Sequence, residues 1–195
     1  MSFTDWLFWG VSESKSLIRI MPFLINKLIY KDLKENRPAL YPSSYSSSVS
    51  SFFSECNHII DNIYLGSSYN ASNYDLIQKL DIARIVNVSD DVPNFFESDI
   101  ELEYFYHNIK DNGIDIFKKE ELDLIFDFIK KNDSNVLVHC VVGRSRSVTI
   151  VIYYLIKEHN MDVETAINYI KSKRNGINPS LRLVNSIKNI KKEIN

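Results

Sequence analysis

Residues Val136-Leu137-Val138-His139-Cys140-Val141-Val142-Gly143-Arg144-Ser145-Arg146-Ser147 constrain this chain more than any other stretch. A short apolar run that suits a buried strand leads into a cysteine. Five residues with a central glycine follow, then arginine and serine, and Ser147 to His159 is apolar on nearly every side. A helix that apolar all round belongs in the middle of a domain. The turn between strand and helix has a chemistry of its own. A tight loop that opens a helix can point several backbone N–H groups inward and form a nest for an anion. Gly143 allows the loop a φ that other residues resist. The candidate nest is Val141, Val142, Gly143, Arg144, Ser145 and Arg146. Arg146, six positions after Cys140, can return to the mouth of the loop and hold two phosphate oxygens bidentately. The same donors stabilise a thiolate at Cys140, since a cysteine so placed has its pKa lowered from about 8.5 into the range ~3.5–7.5. It is then nucleophilic at neutral pH without an adjacent base. The Ser147 hydroxyl near the sulfur can assist its departure from a phosphocysteine.

The rest of the chain alternates strands and helices. His58 to Leu65, Ala83 to Val88, Leu102 to Asn108 and Asn135 to His139 read as short strands. Glu120 to Lys131 sets Leu122, Ile125, Phe126 and Ile129 at helical spacing. Asp162 can cap a helix running to Arg174. Asn178 and Pro179 offer an N-cap and a first-turn proline to a last helix, which carries Leu183, Ile187, Ile190 and Ile194 on one side. The pattern predicts an α/β sheet flanked by helices.

His139-Cys140-x5-Arg146-Ser147 resembles the signature of the cysteine-dependent phosphatases, and Gly143-Arg144-Ser145-Arg146-Ser147 resembles that of the small dual-specificity phosphatases in particular. Ile63-Tyr64-Leu65-Gly66 is similar to the family's opening strand and turn, and Ile85-Val86-Asn87-Val88 to its second strand. The resemblance covers about Asn57 to Lys192. It implies a protein-tyrosine-phosphatase-like fold with a central mixed, mostly parallel sheet. It also implies that Cys140 attacks phosphorus, Arg146 binds the phosphoryl oxygens and Ser147 aids breakdown of the intermediate. Such an enzyme needs a general acid for the leaving oxygen, in the family an aspartate on a loop roughly 30 residues ahead of the cysteine. Asp111 lies 29 residues before Cys140 and Asp115 lies 25 before it, so Asp111 is the expected acid and Asp115 the alternative. Asn112-Gly113 reads as a turn that suits a mobile acid loop. His139 is expected to orient the loop rather than act as a base. Arg144 either faces the entrance and favours acidic substrates or is solvated. Asn178-Pro179-Ser180 is similar to the stretch that precedes the family's last helix, but Ser180 replaces a frequent asparagine and Arg182 stands where many relatives have an aromatic.

The resemblance implies a protein phosphatase acting on phosphotyrosine and on phosphoserine or phosphothreonine. The chain is too short for the long tyrosine-recognition loop of the large tyrosine-specific enzymes. The alternative is a phosphoinositide or other phospholipid phosphatase with the same mechanism, although Val141 and Val142 stand where many lipid enzymes place lysine or a small polar residue. An RNA triphosphatase tends to have Arg-Thr where this chain has Arg146-Ser147. A non-catalytic phosphate-binding module would have no need of Cys140, Arg146 and an acid together.

Of the 195 residues, 45% are apolar and 25% charged, enough for a core without disulfides or metals. A net charge of −2 argues against a general nucleic-acid binder. The two cysteines, Cys56 and Cys140, show no metal-type spacing. They read as free thiols in a reducing compartment, cytoplasmic with the nucleus also open, and no cofactor or metal is expected. No secretory signal and no membrane-spanning run is visible. A Ser-rich stretch from Ser43 to Ser54 reads as part of a linker, 43–56, between an N-terminal extension, 1–42, and a catalytic domain, 57–195. Lys15 to Arg37 carries six basic residues against two acidic ones and an apolar helical face, Leu24, Ile25, Leu28 and Ile29. Three fates stand open for that segment: packing on the catalytic domain, pairing in a homodimer, or peripheral contact with an anionic membrane.

Overall fold

The computed structural model describes residues 55–194 apart from 98, 111 and 113. The chain divides into two units, Met1–Tyr45 and Ser46–Asn195, and every described residue lies in the second. The basic N-terminal segment, the Ser-rich stretch to Ser54 and Asp111 lie outside the described residues.

Five strands form one mixed sheet: β1 (Asn57–Ile60), β2 (Ile63–Gly66), β3 (Ile82–Asn87), β4 (Glu103–Tyr106) and β5 (Asn135–His139). Their spatial order is β1-β2-β5-β3-β4. Only β1 runs antiparallel to its neighbour; β2, β5, β3 and β4 are mutually parallel. Among the described residues six helices accompany the sheet: α1 (Ser68–Ala71), α2 (Tyr74–Lys79), α3 (Lys119–Lys130), α4 (Arg146–His159), α5 (Val163–Lys173) and α6 (Leu181–Ile194). The expected α/β sheet flanked by helices is what forms.

The central parallel strands β3 and β5 are buried on both faces, which is why they read as near-continuous apolar runs rather than alternating ones, whereas the edge strand β4 is partly exposed. Val136, Leu137 and Val138 of β5 and Ile85 and Val86 of β3 are fully buried. On one face of the sheet, α4 is buried along Arg146–Ile156 and meets α3, α5 and α6. Each fully buried Val, Ile or Leu contributes about 1.5–3 kcal/mol, so α4 is the centre of stability. On the other face a smaller cluster joins Ala71, Ile77, Ile82, Ile85 and Leu137. Amphipathic α3 turns Leu122, Ile125 and Ile129 inward. Arg84 closes its C-terminus from the sheet, donating to the carbonyls of Phe128, Ile129, Asn132 and Ser134 at 2.5–3.1 Å.

The structure adds α1 and α2, which the sequence reading does not contain, and changes two of its expected elements. The expected single strand His58 to Leu65 is a hairpin: β1 and β2 are joined at Asp61, whose φ is 47°. An aspartate tolerates that left-handed conformation, and the apolar run alone cannot reveal a two-residue reversal. The last helix begins at Leu181 rather than at Asn178. Ser180 Oγ accepts from Leu183 N at 3.4 Å, and the Asn178 amide donates to Arg144 O at 2.9 Å. Ser180 therefore takes the cap position, and the Asn178 amide ties the preceding segment to the loop at the end of β5.

Candidate active site

The site forms at the carboxyl ends of the parallel strands, the edge at which open α/β sheets bind ligands. β5 ends at His139, and residues 140–145 loop round before α4 begins at Arg146. What shapes this loop is the destination of its carbonyl groups. Val141 O accepts from the amide and the hydroxyl of Ser68, both at 3.0 Å. Gly143 O accepts from Arg174 Nε at 3.2 Å. Arg144 O accepts from the Asn178 amide, and Ser145 O from the amide and hydroxyl of Thr149. In a planar trans peptide the C=O of one residue and the N–H of the next point in opposite directions. Four carbonyls held outward therefore turn the amides of Val142, Arg144, Ser145 and Arg146 inward. Gly143 has φ 74°, and a Cβ placed there would lie 2.3 Å from Gly66 O. Only glycine fits where the loop crosses the end of β2.

Cys140 sits beneath this ring of amides, 3% exposed. Its Sγ accepts from Gly143 N at 3.2 Å and from Ser147 Oγ at 3.4 Å. Burial by itself would push the thiol up. The Arg146 guanidinium, the Ser147 hydroxyl and amide and the Gly143 amide outweigh it and hold the pKa below the ordinary thiol value. Cys56, by contrast, is pushed up to about 12 by burial, against a smaller opposing pull from Arg174.

Arg146 is buried, and its Nη1 donates to Ile109 O at 3.0 Å. The same nitrogen lies 3.4 Å from Asp90 Oδ1 and 3.5 Å from Asp91 Oδ1. Those aspartates follow β3 on a loop that Asn87 anchors, donating from Nδ2 to Val92 O at 2.7 Å and accepting from Ser89 Oγ. His139 is fully buried, with Nδ1 3.4 Å from Cys140 O. Burial lowers its pKa to about 4; the Cys140 carbonyl pulls the other way, and the Arg146 charge lowers it further. The ring is neutral at pH 7 and is no base. Arg144 is exposed, and its Nε donates to Gly176 O at 2.7 Å, tying the rim of the loop to the turn after α5.

The sequence candidates Cys140 to Ser147 thus converge on one cradle, while Asp111 lies outside the described residues. The alternative acid, Asp115, is committed elsewhere. Its carboxylate accepts from Asn112 Nδ2 at 3.0 Å and from Lys110 N at 3.2 Å, and these bonds lower its pKa. That is the wrong direction for a group that must carry a proton at neutral pH. Sequence reasoning missed Asp90, Asp91, Ser68 and Arg174. A signal for the first two was present, since two consecutive acids follow a buried parallel strand where its carboxyl end must face the site.

Residues 63–193 match the family model described as "Dual specificity phosphatase, catalytic domain". Protein phosphatase Slingshot homolog 1 of Mus musculus is 38% identical over 131 residues, 63% of this chain and 12% of that protein. Dual specificity protein phosphatase 9 of Homo sapiens is 33% identical over 132 residues, 66% of this chain and 34% of that protein. The chain therefore spans a minor part of the length of these relatives. Among solved structures, the human tyrosine phosphatase-like serine/threonine/tyrosine-interacting protein superposes with TM-score 0.65 at 23% identity, over 71% of this chain and 97% of that one. This last likeness is one of fold.

Proposed function

The chain belongs to the dual-specificity phosphatase family, and from that premise we propose that it is a protein phosphatase hydrolysing phosphotyrosine and phosphoserine or phosphothreonine through a phosphocysteine on Cys140. The observation that carries this reading is the cradle itself: a buried sulfur with lowered pKa under a ring of inward amides, closed by a buried arginine. The phosphoryl oxygens take the amides of Val142, Arg144, Ser145 and Arg146 and the Arg146 guanidinium, which together bind the charge that develops in the transition state. The Cys140 thiolate attacks phosphorus, an S–P bond forms, and the P–O bond to the substrate side chain breaks. Asp111 gives its proton to the departing oxygen. In the second step Asp111, now a carboxylate, takes a proton from water as the water oxygen attacks phosphorus. The S–P bond breaks, and Ser147 Oγ donates a hydrogen bond to the returning thiolate. Phosphate and the free thiolate result.

Asp90 and Asp91 pair with Arg146 Nη1, which helps fix the guanidinium in place before substrate arrives. A thiolate nucleophile works only while reduced, so the reading places the protein in the cytoplasm or nucleus. Among the described residues no helix is long and apolar enough to cross a membrane.

The test is a side-by-side turnover assay with a phosphotyrosine peptide, a phosphothreonine peptide and a phosphoinositide, each with and without chelator. Both peptides are expected to turn over in the presence of chelator, and Cys140→Ser to abolish turnover while still binding tungstate. Turnover of the phosphoinositide alone would transfer the chain to the lipid phosphatases. Loss of activity with chelator, restored by zinc or magnesium, would sink the thiolate mechanism.

A further inference from the structure

Arg174 lies at the end of α5, 31 residues beyond Gly143, and is 1% exposed. A guanidinium is costly to bury unless its donors are matched. The matches here join two parts of the chain. Nε donates to Gly143 O at 3.2 Å. Nη1 donates to Glu55 O at 2.7 Å and to Asn57 Oδ1 at 2.6 Å. Nη2 lies 3.1 Å from the point that a Cβ on Gly143 would occupy, so the group packs directly against the back of the loop. The family match begins only at residue 63, so Glu55 and Asn57 lie ahead of it.

We propose that Arg174 is a positioning residue for the phosphate site: it holds the Gly143 carbonyl outward, thereby aiming the Arg144 amide at the phosphate, and it is itself held by Glu55 and Asn57. The proposal rests on the phosphatase reading above for what the cradle binds. Its physical basis is the planarity of the 143–144 peptide. Once the carbonyl is free to rotate, the amide that opposes it leaves the ring, and an inward carbonyl would repel the anion. A lysine at this position supplies a single charged point and cannot bridge Gly143 O and the Glu55–Asn57 pair with a fixed fork. The residues just ahead of the catalytic core thereby become part of the site's support, although none of them touches the substrate.

The groups facing the Cys140 thiol are Arg146 from α4, the Ser147 hydroxyl and amide and the Gly143 amide, while the neutral His139 ring meets the Cys140 carbonyl. Arg174 faces the thiol from the end of α5, and Cys56 and Glu55 also interact with that guanidinium. With its pKa raised to about 12, Cys56 stays a thiol at neutral pH, so alkylation in that range reports Cys140.

The test uses the full chain and the variants Arg174→Met, Arg174→Lys and Asn57→Ala. Three quantities are read: tungstate affinity, the pH profile of iodoacetamide alkylation, and kcat and KM on an aryl phosphate. All are measured well below each variant's melting temperature. Arg174→Met is expected to weaken tungstate binding about 10-fold or more and to move the alkylation midpoint to higher pH. Its kcat/KM should fall by about 10–100-fold, the scale of a catalytic group misplaced by about 1 Å. Arg174→Lys should recover part of this, and Asn57→Ala should show the same pattern more weakly. A variant that melts earlier yet keeps wild-type tungstate affinity and alkylation profile would overturn the proposal. Should Arg174→Met fail to fold, Arg174→Lys and Asn57→Ala decide, and wild-type values in both overturn it. Tungstate binding and alkylation need no turnover, so they hold or fail separately from the phosphatase reading, which the wild-type assay decides.

Discussion

At the scale of single residues, the site depends on which groups carry a proton at neutral pH. Cys140 must be a thiolate, and its Gly143, Ser147 and Arg146 neighbours favour that form against burial. The acid must be a neutral carboxyl, and Asp115 is held ionised by Asn112 and the Lys110 amide. The assignment of Asp111 is tested directly. Asp111→Asn is expected to lower kcat by about 10²–10⁴-fold on a phosphopeptide, the usual share of general acid catalysis. The loss should shrink with an aryl phosphate whose leaving group needs no proton. Asp115→Asn should show no such dependence on the leaving group. Were the two variants to exchange these patterns, the acid would be Asp115 and the loop would use its second aspartate. Spacing together with the family resemblance ranks Asp111 ahead of Asp115, and the two variants test that ranking. The hydrogen bonds of Asp115 to Asn112 and Lys110 were not legible in the sequence, because they depend on how its own loop folds.

At the scale of elements, the strand–loop–helix unit of β5 and α4 carries the function, and Gly143 is its critical joint. Alanine there meets two penalties. A left-handed φ costs a non-glycine residue about 1–2 kcal/mol. Its Cβ would also meet Gly66 O at 2.3 Å and Gly66 C at 2.8 Å, backbone atoms of β2 that cannot swing aside as a side chain can. Gly143→Ala is therefore expected to lose at least about 100-fold in kcat/KM and to melt earlier. Wild-type turnover in that variant would show that the loop does not cross β2 as described. Helix boundaries show how local signals meet tertiary competition. Asp162 caps α5 as its sequence position suggests, accepting from Glu164 N and Thr165 N at 2.9 Å. Asn178 has the same local promise, but Ser180 takes the cap by accepting from Leu183 N and Val184 N, and α6 starts at Leu181.

At the scale of the whole molecule, acid is expected to unfold the protein in two stages. His139 is buried and neutral, with its pKa lowered to about 4. A histidine held below its unfolded value of about 6.5 binds fewer protons when folded, so its stabilising effect is complete above that pH and lost as pH falls toward the folded value. The loss should reach about 3 kcal/mol between roughly pH 6.5 and pH 4, at about 1.4 kcal/mol per unit. Asp61, Asp115, Asp123 and Asp162 also have lowered values. Their stabilisation is present above about pH 4 and is lost only below it. Urea melts at stepped pH measure this, and His139→Asn should flatten the upper stage alone. Equal stability at pH 6.5 and pH 4.5 in the native protein would mean that His139 is not buried neutral. What the sequence by itself determined is local: a β-branched strand, a glycine where the loop needs one, an arginine six residues past a cysteine, and a helix too apolar to lie anywhere but the centre. Each is read from neighbours along the chain. What only the tertiary structure decided is how the loop's carbonyls are turned. Apart from Ser145 O, taken by Thr149 within α4, their partners are Ser68, Arg174 and Asn178, 31 to 73 residues away, and Asp90 and Asp91 reach Arg146 across 56 and 55 residues. Strand register and helix packing bring those polar groups within reach, and residue pattern, which records burial and periodicity, does not say which distant donor meets which carbonyl.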